Sequence, residues 1–223
     1  MTTRLTATGI EYPDGTVQTQ RFDSNDDGGG LIQIDTWTGS GTWTKPTGAR
    51  QIRVLVVGGG GGGCGHTESG GAGGFAEKWI DVSGWSNGTT VSVTVGGGGD
   101  GRNYHQGCGT GGTSSFGSYV SASGGQGANT NWGHSGGHGG IGSGGDINLW
   151  GGGGHGHENE AASQGGTGYF GGGSFGNHHS YRPHYAEGSN HTAPGGGGAG
   201  NWITNHGRGA YGSDGCVVVY SYK

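Results

Sequence analysis

Apolar and polar residues alternate in short runs near both ends of the chain and give way to glycine between them. Alternation of β-branched and aromatic residues with polar ones predicts strands at 32–37, 42–45, 51–57, 76–82, 89–95 and 216–222. Glycine tracts begin directly after two of these strands, at Gly58 and Gly96. The pattern predicts a β-sandwich-like base, made from both ends of the chain, that carries glycine-rich excursions on one side.

A separate hairpin is predicted ahead of this base. Residues 9–20 alternate around Pro13, Asp14 and Gly15, where proline sets the first turn φ and glycine accepts a positive one. Residues 23–30 are short polar, acidic and glycine residues, a composition typical of a flexible joint. We therefore divide the chain into an N-terminal attachment or oligomerisation hairpin (1–22), a linker (23–30) and a main glycine-rich domain (31–223).

Glycine recurs at every third position from Gly133 to Gly145, and the same spacing returns at 165–171 and 209–215. A three-residue period is that of a polyproline-II-type helix, in which only glycine lets backbones touch at every third position. The chain is not collagen-like, because the register breaks between segments and only 4 prolines are present. The spacing predicts a folded-back bundle of short polyglycine-II runs.

Composition alone is compatible with disorder, since 64 of the 223 residues are glycine. The 7 Trp, 9 Tyr and 5 Phe residues and the compact Val/Ile runs favour a folded domain instead. The predicted fold class is all-β with polyglycine-II helices, a small sandwich-like base, exposed loops and almost no α-helix.

Charge and hydropathy exclude two classes of partner. The formal net charge is −5, and no lysine occurs between Lys78 and Lys223, so the basic surface that nucleic-acid binding needs is missing. The longest apolar stretch is about six residues, far short of a membrane span, and the N-terminus has no apolar secretory segment. We expect no nucleic acid, no membrane insertion, and synthesis in a cytosol.

The three cysteines, Cys64, Cys108 and Cys216, are an odd number without a CxxC pair. This spacing predicts neither a disulfide framework nor a zinc site, and each cysteine is expected to be a buried or idle thiol.

Specific catalytic or cofactor chemistry has little support in the sequence. Strand 51–57 with its following glycines imitates a dinucleotide-binding fingerprint, but residues 64–74 have no helical apolar period. No GxSxG motif and no closely spaced acidic pair is present, so no enzyme and no cofactor are predicted. His155 and His157 could supply imidazoles to a metal on a trimer axis, although histidine as an exposed polar contact residue is the favoured interpretation.

The segments between glycine tracts are rich in Trp, Tyr, His, Asn and Arg, which are side chains typical of binding surfaces. They cover 100–106, 128–132, 146–150, 155–164, 174–192 and 201–206. The longest, 174–192, is the first choice for a binding surface. For Trp132, Trp150 and Trp202 a second interpretation stays open, in which they cap the ends of glycine helices.

Several of these residues resemble the glycine-rich tip domains of tailed-bacteriophage tail fibres and T-even-type adhesins. The similar segments are TWTGSGTWTKP, IRVLVVGGGGGG, VSVTVGGGG, GGTSSFG and GCVVVYSY, over about residues 35–223. GIEYPDGTVQTQ resembles a hairpin found ahead of such tips. The resemblance implies polyglycine-II helices packed in a sandwich, at 58–63, 96–99, 133–145, 151–154, 171–173 and 195–200, with variable loops between them that touch the bacterial surface.

The function expected from the resemblance is a tail-fibre tip of the virion, made in the host cytoplasm. It would be a homotrimer that binds a bacterial surface glycan or outer-membrane protein and attaches to other tail-fibre or baseplate proteins. The candidate receptor-binding residues are Tyr104, His105, Trp132, Trp150, His178, His179, Tyr181, Arg182, His184 and Tyr185. Two alternatives are a small polysaccharide-depolymerising tail enzyme and a non-viral glycine-rich wall protein.

Overall fold

The regular elements in the described part of the chain are all β-strands. The computed structural model describes residues 4–6, 9–11, 17–18, 30–65, 68–102, 107–129, 135–156, 163–175, 193–201 and 208–223. These ranges contain no α-helix, and hence none long and apolar enough to cross a membrane. The strands are β1 (Arg4–Thr6), β2 (Gly9–Glu11), β3 (Val17–Gln18), β4 (Leu31–Trp37), β5 (Gly41–Thr44), β6 (Gln51–Val57), β7 (Phe75–Asp81), β8 (Thr90–Thr94), β9 (Ser114–Phe116), β10 (Val120–Ala122), β11 (Gly142–Ser143), β12 (Ile147–Leu149) and β13 (Cys216–Tyr222).

Two antiparallel sheets of five strands form the base. One has the order β12-β7-β6-β13-β4 and the other β11-β10-β9-β8-β5. The C-terminal strand β13 lies between β4 and β6, so both ends of the main domain meet in one sheet. The all-β fold with two sheets is confirmed, and each of the six strands predicted by alternation ends within one residue of its expected position.

The core of the base lies between the two sheets, because alternate residues of each strand point to the same side. Val54 and Val56 of β6 and Val217 and Val219 of β13 are fully buried there. Trp43 of β5 fills the other side, and its ring lies 5.6 Å from that of Phe116, edge to face. This arrangement is an ordinary hydrophobic core.

Four short strands, β9 to β12, were not predicted. They contain two or three residues each, too few for alternation to be recognised. The prediction of a loop at 146–150 is wrong in conformation, because Ile147–Leu149 pairs with β7 and forms the edge of a sheet, while its role in receptor contact stays a prediction.

The predicted N-terminal hairpin is confirmed in its strand pairing. Ile10 pairs with Gln18 and Glu11 with Val17, and the predicted turn lies outside the described residues. An additional strand, β1, pairs with β2 on the other side. The role of this hairpin in attachment or oligomerisation stays a prediction.

Most strands of the base continue directly into glycine-rich tracts. Val57 of β6 leads into tract 58–64, tract 68–74 leads into Phe75 of β7, and tract 208–215 leads into Cys216 of β13. We call the assembly of tracts the glycine lattice. Its described tracts are 58–64, 68–74, 96–102, 107–113, 123–129, 135–141, 151–156, 163–168, 171–175, 193–201 and 208–215.

In the lattice, the direction of the backbone hydrogen bonds changes from residue to residue and repeats every third residue. In tract 58–64, the amides of 58, 61 and 64 donate to tract 68–74, those of 59 and 62 to tract 107–113, and those of 60 and 63 to tract 208–215. The carbonyls of the same tract accept from tracts 96–102, 123–129 and 193–201. A three-residue period is the one expected of polyproline-II-type helices, and the polyglycine-II conformation of the tracts stays a prediction.

Glycine is required in the lattice because neighbouring backbones lie where a side chain would begin. A Cβ on any residue from Gly58 to Gly63 would approach a backbone oxygen closer than 3.0 Å. The predicted glycine row 209, 212 and 215 faces the backbone of Gly63, Gly60 and Val57 in the same way. The lattice interior is therefore made of backbone rather than of side chains.

In an outer tract, one residue in three is exposed to solvent. In tract 135–141, Ser135, His138 and Ile141 are exposed, whereas Gly137 and Gly140 are buried. A Cβ on Gly136 or Gly139 would meet the backbone of tract 151–156. The expectation that Gly136, Gly139 and Gly142 face neighbouring backbones is confirmed, and Gly137 and Gly140 face a second set of neighbours. Gly142, however, lies in strand β11 and faces Phe75 of β7, so the described part of the predicted run 133–145 ends as a tract at Ile141.

Candidate functional site

The glycine lattice has a base end and a distal end. At the base end its tracts join the strands of the sandwich. The main domain also begins far from the lattice, since Gly30 accepts a hydrogen bond from the amide of Lys223, at the opposite end of β13 from Cys216. At the distal end the tracts terminate in the described residues that flank several predicted contact segments.

The first group of flanking residues converges around Cys64 and Gly65. The amide of Cys64 donates to the carbonyl of Glu68 (2.8 Å), and the amide of Gly65 donates to the carbonyl of Arg102 (2.8 Å). The amide of Asn201 donates to the carbonyl of Cys64 (3.2 Å). The described residues on either side of 66–67 thus lie at the same end of the lattice as those that precede 103–106 and 202–207.

A second group extends this surface. The amide of Gly209 donates to the carbonyl of Arg102 (3.1 Å), and the Nε of Arg208 donates to the carbonyl of Gly101 (2.8 Å). These contacts place the residues that follow 202–207 beside those that precede 103–106. Asn129 and Ser135, which flank 130–134, form an antiparallel bridge.

The residues that flank segment 157–162 are held by Ser69. Its amide donates to the carbonyl of His155 (2.9 Å), and its hydroxyl donates to the hydroxyl of Ser163 (2.7 Å). The amide of Gly200 donates to both hydroxyls. Buried serines thus take the place of a neighbouring backbone where the lattice lacks one, so its donors stay satisfied.

The prediction of three separate thiols is wrong for two of them. Cys64 and Cys108 form a disulfide with a sequence separation of 44, while Cys216 is free and buried as expected. The disulfide joins the distal end of tract 58–64 to the start of tract 107–113. The odd number of cysteines did not indicate a disulfide. The two cysteines become adjacent only when the two tracts pack together.

Burial explains the inertness expected of Cys216. The side chain is enclosed by Leu55, Val57 and Phe75, and desolvation raises the pKa of its thiol to about 11.

Most candidate receptor-binding residues lie outside the described residues. These are Tyr104, His105, Trp132, His178, His179, Tyr181, Arg182, His184 and Tyr185, together with the weak metal candidate His157. The structure describes the residues that flank the segments 103–106 and 130–134, which both leave from the distal end. For 176–192 it describes Phe175, bridged to Gln164, and Ala193.

Trp150 and His155 are described, and they lie in different places. Trp150 follows strand β12 and pairs with Ile141 near the junction of the sheet and the lattice, with 72% of its surface exposed. His155 is exposed near the distal end, where its carbonyl accepts from Ser69. Of the two, only His155 lies beside the flanking residues of the contact segments.

Metal coordination by histidine stays a prediction. In the described part of the chain, no group of three or more His, Cys, Asp or Glu side chains could hold a metal ion. His157, the proposed partner of His155, is not among those residues.

The outer face of the sheet β12-β7-β6-β13-β4 carries a polar cluster that sequence patterns did not single out. Arg53 donates from Nε and Nη2 to the two carboxylate oxygens of Glu77, both at 2.8 Å. Its guanidinium carbon lies 5.9 Å from the ring centroid of Trp79 and 5.8 Å from that of Tyr220. The hydrogen bonds to Glu77 raise the pKa of Arg53. Alternation along each strand indicates which residues share a face. Which strands are neighbours, and so which of these residues meet, follows only from the strand order of the sheet.

Comparison with known families agrees with this architecture. A family model described as a glycine-rich domain matches residues 35–222. The chain belongs to this glycine-rich domain family. The match spans the sandwich and the lattice together, so the glycine-rich domain is the whole unit rather than its tracts alone. No curated protein matches the sequence.

Proposed function

We propose that this glycine-rich domain is the receptor-binding tip of a bacteriophage tail fibre. The observation that carries the proposal is the convergence of flanking residues at the distal end of the lattice. The described residues there flank the segments 66–67, 103–106, 130–134, 157–162 and 202–207. The main domain begins at the other end of the molecule, where residues 1–30 join it. This polarity suits a chain attached at one end that contacts a surface with the other.

The lattice supports the proposal because backbone contacts fix the described residues that flank these segments. The flanking residues are fixed by backbone hydrogen bonds such as those from Gly65 to Arg102 and from Asn201 to Cys64. The disulfide between Cys64 and Cys108 adds a covalent link beside two of the segments. Side chains in the segments can therefore differ without altering the frame, and a fixed frame reduces the entropy lost on binding.

The ligand class follows from the composition of the segments. Tyr, Trp, His and Arg residues there can stack on sugar rings and donate hydrogen bonds to hydroxyl groups or to loop backbones. The proposed receptor is accordingly a glycan or an outer-membrane protein of a bacterial surface. Other fibre or baseplate proteins would bind the N-terminal hairpin, and the protein would be located in the virion.

A competition experiment tests the proposal. Purified chain is added to host bacteria before the phage that encodes it, and adsorption of the phage is measured. We expect the chain to reduce adsorption, and the triple variant Tyr181→Ala, Arg182→Ala, Tyr185→Ala to lose this effect. Tyr119→Ala, an exposed aromatic residue of the base, is the matched control. Full competition by the triple variant would remove segment 176–192 from the binding surface, and no competition by the unaltered chain would contradict the proposal.

The alternative of a depolymerase has less support from the described carboxylates. Glu77 is ion-paired with Arg53, Glu68 is buried in the lattice, and a carboxylate oxygen of Asp146 accepts the amide of Trp79 (2.8 Å). These three carboxylates are thus paired, buried or hydrogen-bonded, whereas glycoside hydrolysis requires two carboxyl groups that face the substrate. Release of new reducing ends from host polysaccharide would favour the enzyme, and a location in an extracellular matrix would favour a wall protein.

A further inference from the structure

Strand β4 is an open sheet edge that carries apolar side chains. Within the part of the chain that the structure describes, β4 pairs only with β13 and is the last strand of its sheet. Leu31 and Ile34 are each 52% exposed, and Ile32 is 36% exposed. A seven-residue edge of this kind presents unpaired backbone donors and acceptors next to apolar surface.

Protection against strand addition is weak along this edge. Proteins usually guard such strands with charged residues, lysine above all, with proline or with a bulge. Residues 31–37 contain neither lysine nor proline, their one charged residue is Asp35, and the irregular register with β13 is confined to the end of the strand near Leu31. The segment from Gln33 to Trp37 is therefore regular and open to another strand.

We propose that β4 pairs with β4 of a second copy of this chain, antiparallel and centred on Ile34. A two-fold axis at Ile34 places Gln33 of each copy opposite Asp35 of the other, so amide donors meet carboxylate acceptors. The two side chains already show this affinity within one strand, where the Nε2 of Gln33 donates to both Asp35 oxygens (2.7 and 2.8 Å). Centring on Asp35 instead would oppose two carboxylates, which is unfavourable.

The neighbouring face is compatible with such a pairing. Ile34 points to the same side as Tyr220, Arg53 and Trp79, which lie opposite one another in successive strands. The charge of Arg53 is balanced by Glu77 on that face. The two Ile34 side chains would therefore meet on a surface without excess charge, as in the interior of many homodimer interfaces.

Sedimentation of the full chain at several concentrations tests the pairing. We expect a species of twice 22.1 kDa. Ile34→Lys, which opposes two lysines at the axis, should abolish it, whereas Ile147→Lys, on the same face at the other edge of the sheet, should not. Thermal melts of both variants check that they fold.

A charge exchange tests the register without relying on Ile34. Gln33→Glu sets a new carboxylate opposite Asp35 at two places in the dimer and should weaken the pairing about tenfold. Adding Asp35→Lys to that variant creates two opposite-charge pairs and should restore the affinity. A monomer at all concentrations, a mass of three chains, or failure of the second substitution to restore pairing would overturn the proposal. The tail-fibre resemblance implies a trimer instead, so the mass measured by sedimentation distinguishes the proposed dimer from a trimer. The adsorption test of the proposed function does not depend on which of the two is found.

Discussion

Residues 51–57 and residues 58–63 are consecutive in the chain, yet they are buried by different means. In strand β6, Val54 and Val56 are buried by side chains from the facing sheet. In the following tract, six glycines are buried by the backbones of neighbouring tracts and bonded to them with a three-residue rotation. The sandwich derives its stability from apolar surface removed from water, whereas the lattice depends on complete pairing of amides and carbonyls.

This difference predicts how the two regions respond to change. A hydrophobic core can repack when one methyl group is lost or moved. A backbone interface leaves no such freedom, because an added carbon separates the chains and breaks hydrogen bonds on both.

The largest effect is expected from Gly61→Ala in the central tract. Its Cβ would overlap the backbone of Gln126, and the hydrogen bonds that Gly61 makes with Gly71 and Gly198 would be lost at roughly 1–3 kcal/mol each. The matched change in the sandwich is Ile52→Val, which removes one carbon from a fully buried side chain and should cost about 0.5–1.5 kcal/mol. Denaturant unfolding of both variants measures the difference, and equal stabilities would contradict the contrast.

Removal of the disulfide is expected to have the next largest effect. Cys64→Ser with Cys108→Ser opens a covalent loop of 44 residues and should lower the unfolding free energy by about 2–4 kcal/mol. A thiol assay checks the premise: denatured protein should show one free thiol per chain without reductant and three with it. Three thiols without reductant would show that the bridge is absent.

A comparison within one outer tract isolates the rotation of the lattice. Gly139→Val would press a side chain against the backbone of Gly151 and should cost roughly 1–3 kcal/mol for each hydrogen bond lost. Ile141→Trp, two positions later and 42% exposed, should change stability by less than about 0.5 kcal/mol. Thermal melts of the two variants measure the difference. If neither substitution lowers the melting temperature, the tract does not pack against its neighbours.

The smallest effect is expected for Cys216, whose thiol is enclosed by Leu55, Val57 and Phe75. Because burial raises the pKa of its thiol from 9.0 to about 11, its contribution to stability is complete below pH 9 and is lost as the pH rises toward 11. At pH 8 a maleimide should label native protein far more slowly than denatured protein. Equal labelling rates would place the thiol at the surface.

Different parts of the molecule were predictable to different degrees. Alternation located the long strands, because strands such as β6 have one face in the core, and the glycine period anticipated the row that faces neighbouring backbones. Strand β12 could not be predicted, since the three residues Ile147, Asn148 and Leu149 are too few for their alternation to be recognised.

The candidate site was predictable only as a set of segments. Composition indicated which segments are rich in contact residues, but their common origin depends on how the tracts pack. The bond from Gly65 to Arg102 and the link from Cys64 to Cys108 join residues about 40 positions apart, and nothing in local sequence indicates such pairs. The cluster of Arg53, Glu77, Trp79 and Tyr220 depends on strand order in the same way.

The direct continuation of strands into glycine tracts also bears on mechanical strength. A pull between the beginning of β4 and the distal end would run along the strands and tracts, across the direction of their hydrogen bonds. Such a load shears many bonds at once instead of opening them one after another. It would also spread sideways, because tract 58–64 is bonded to several neighbouring tracts rather than to the two that a strand in a sheet can have. A protein that holds a particle to a moving cell would gain tensile resistance from this arrangement.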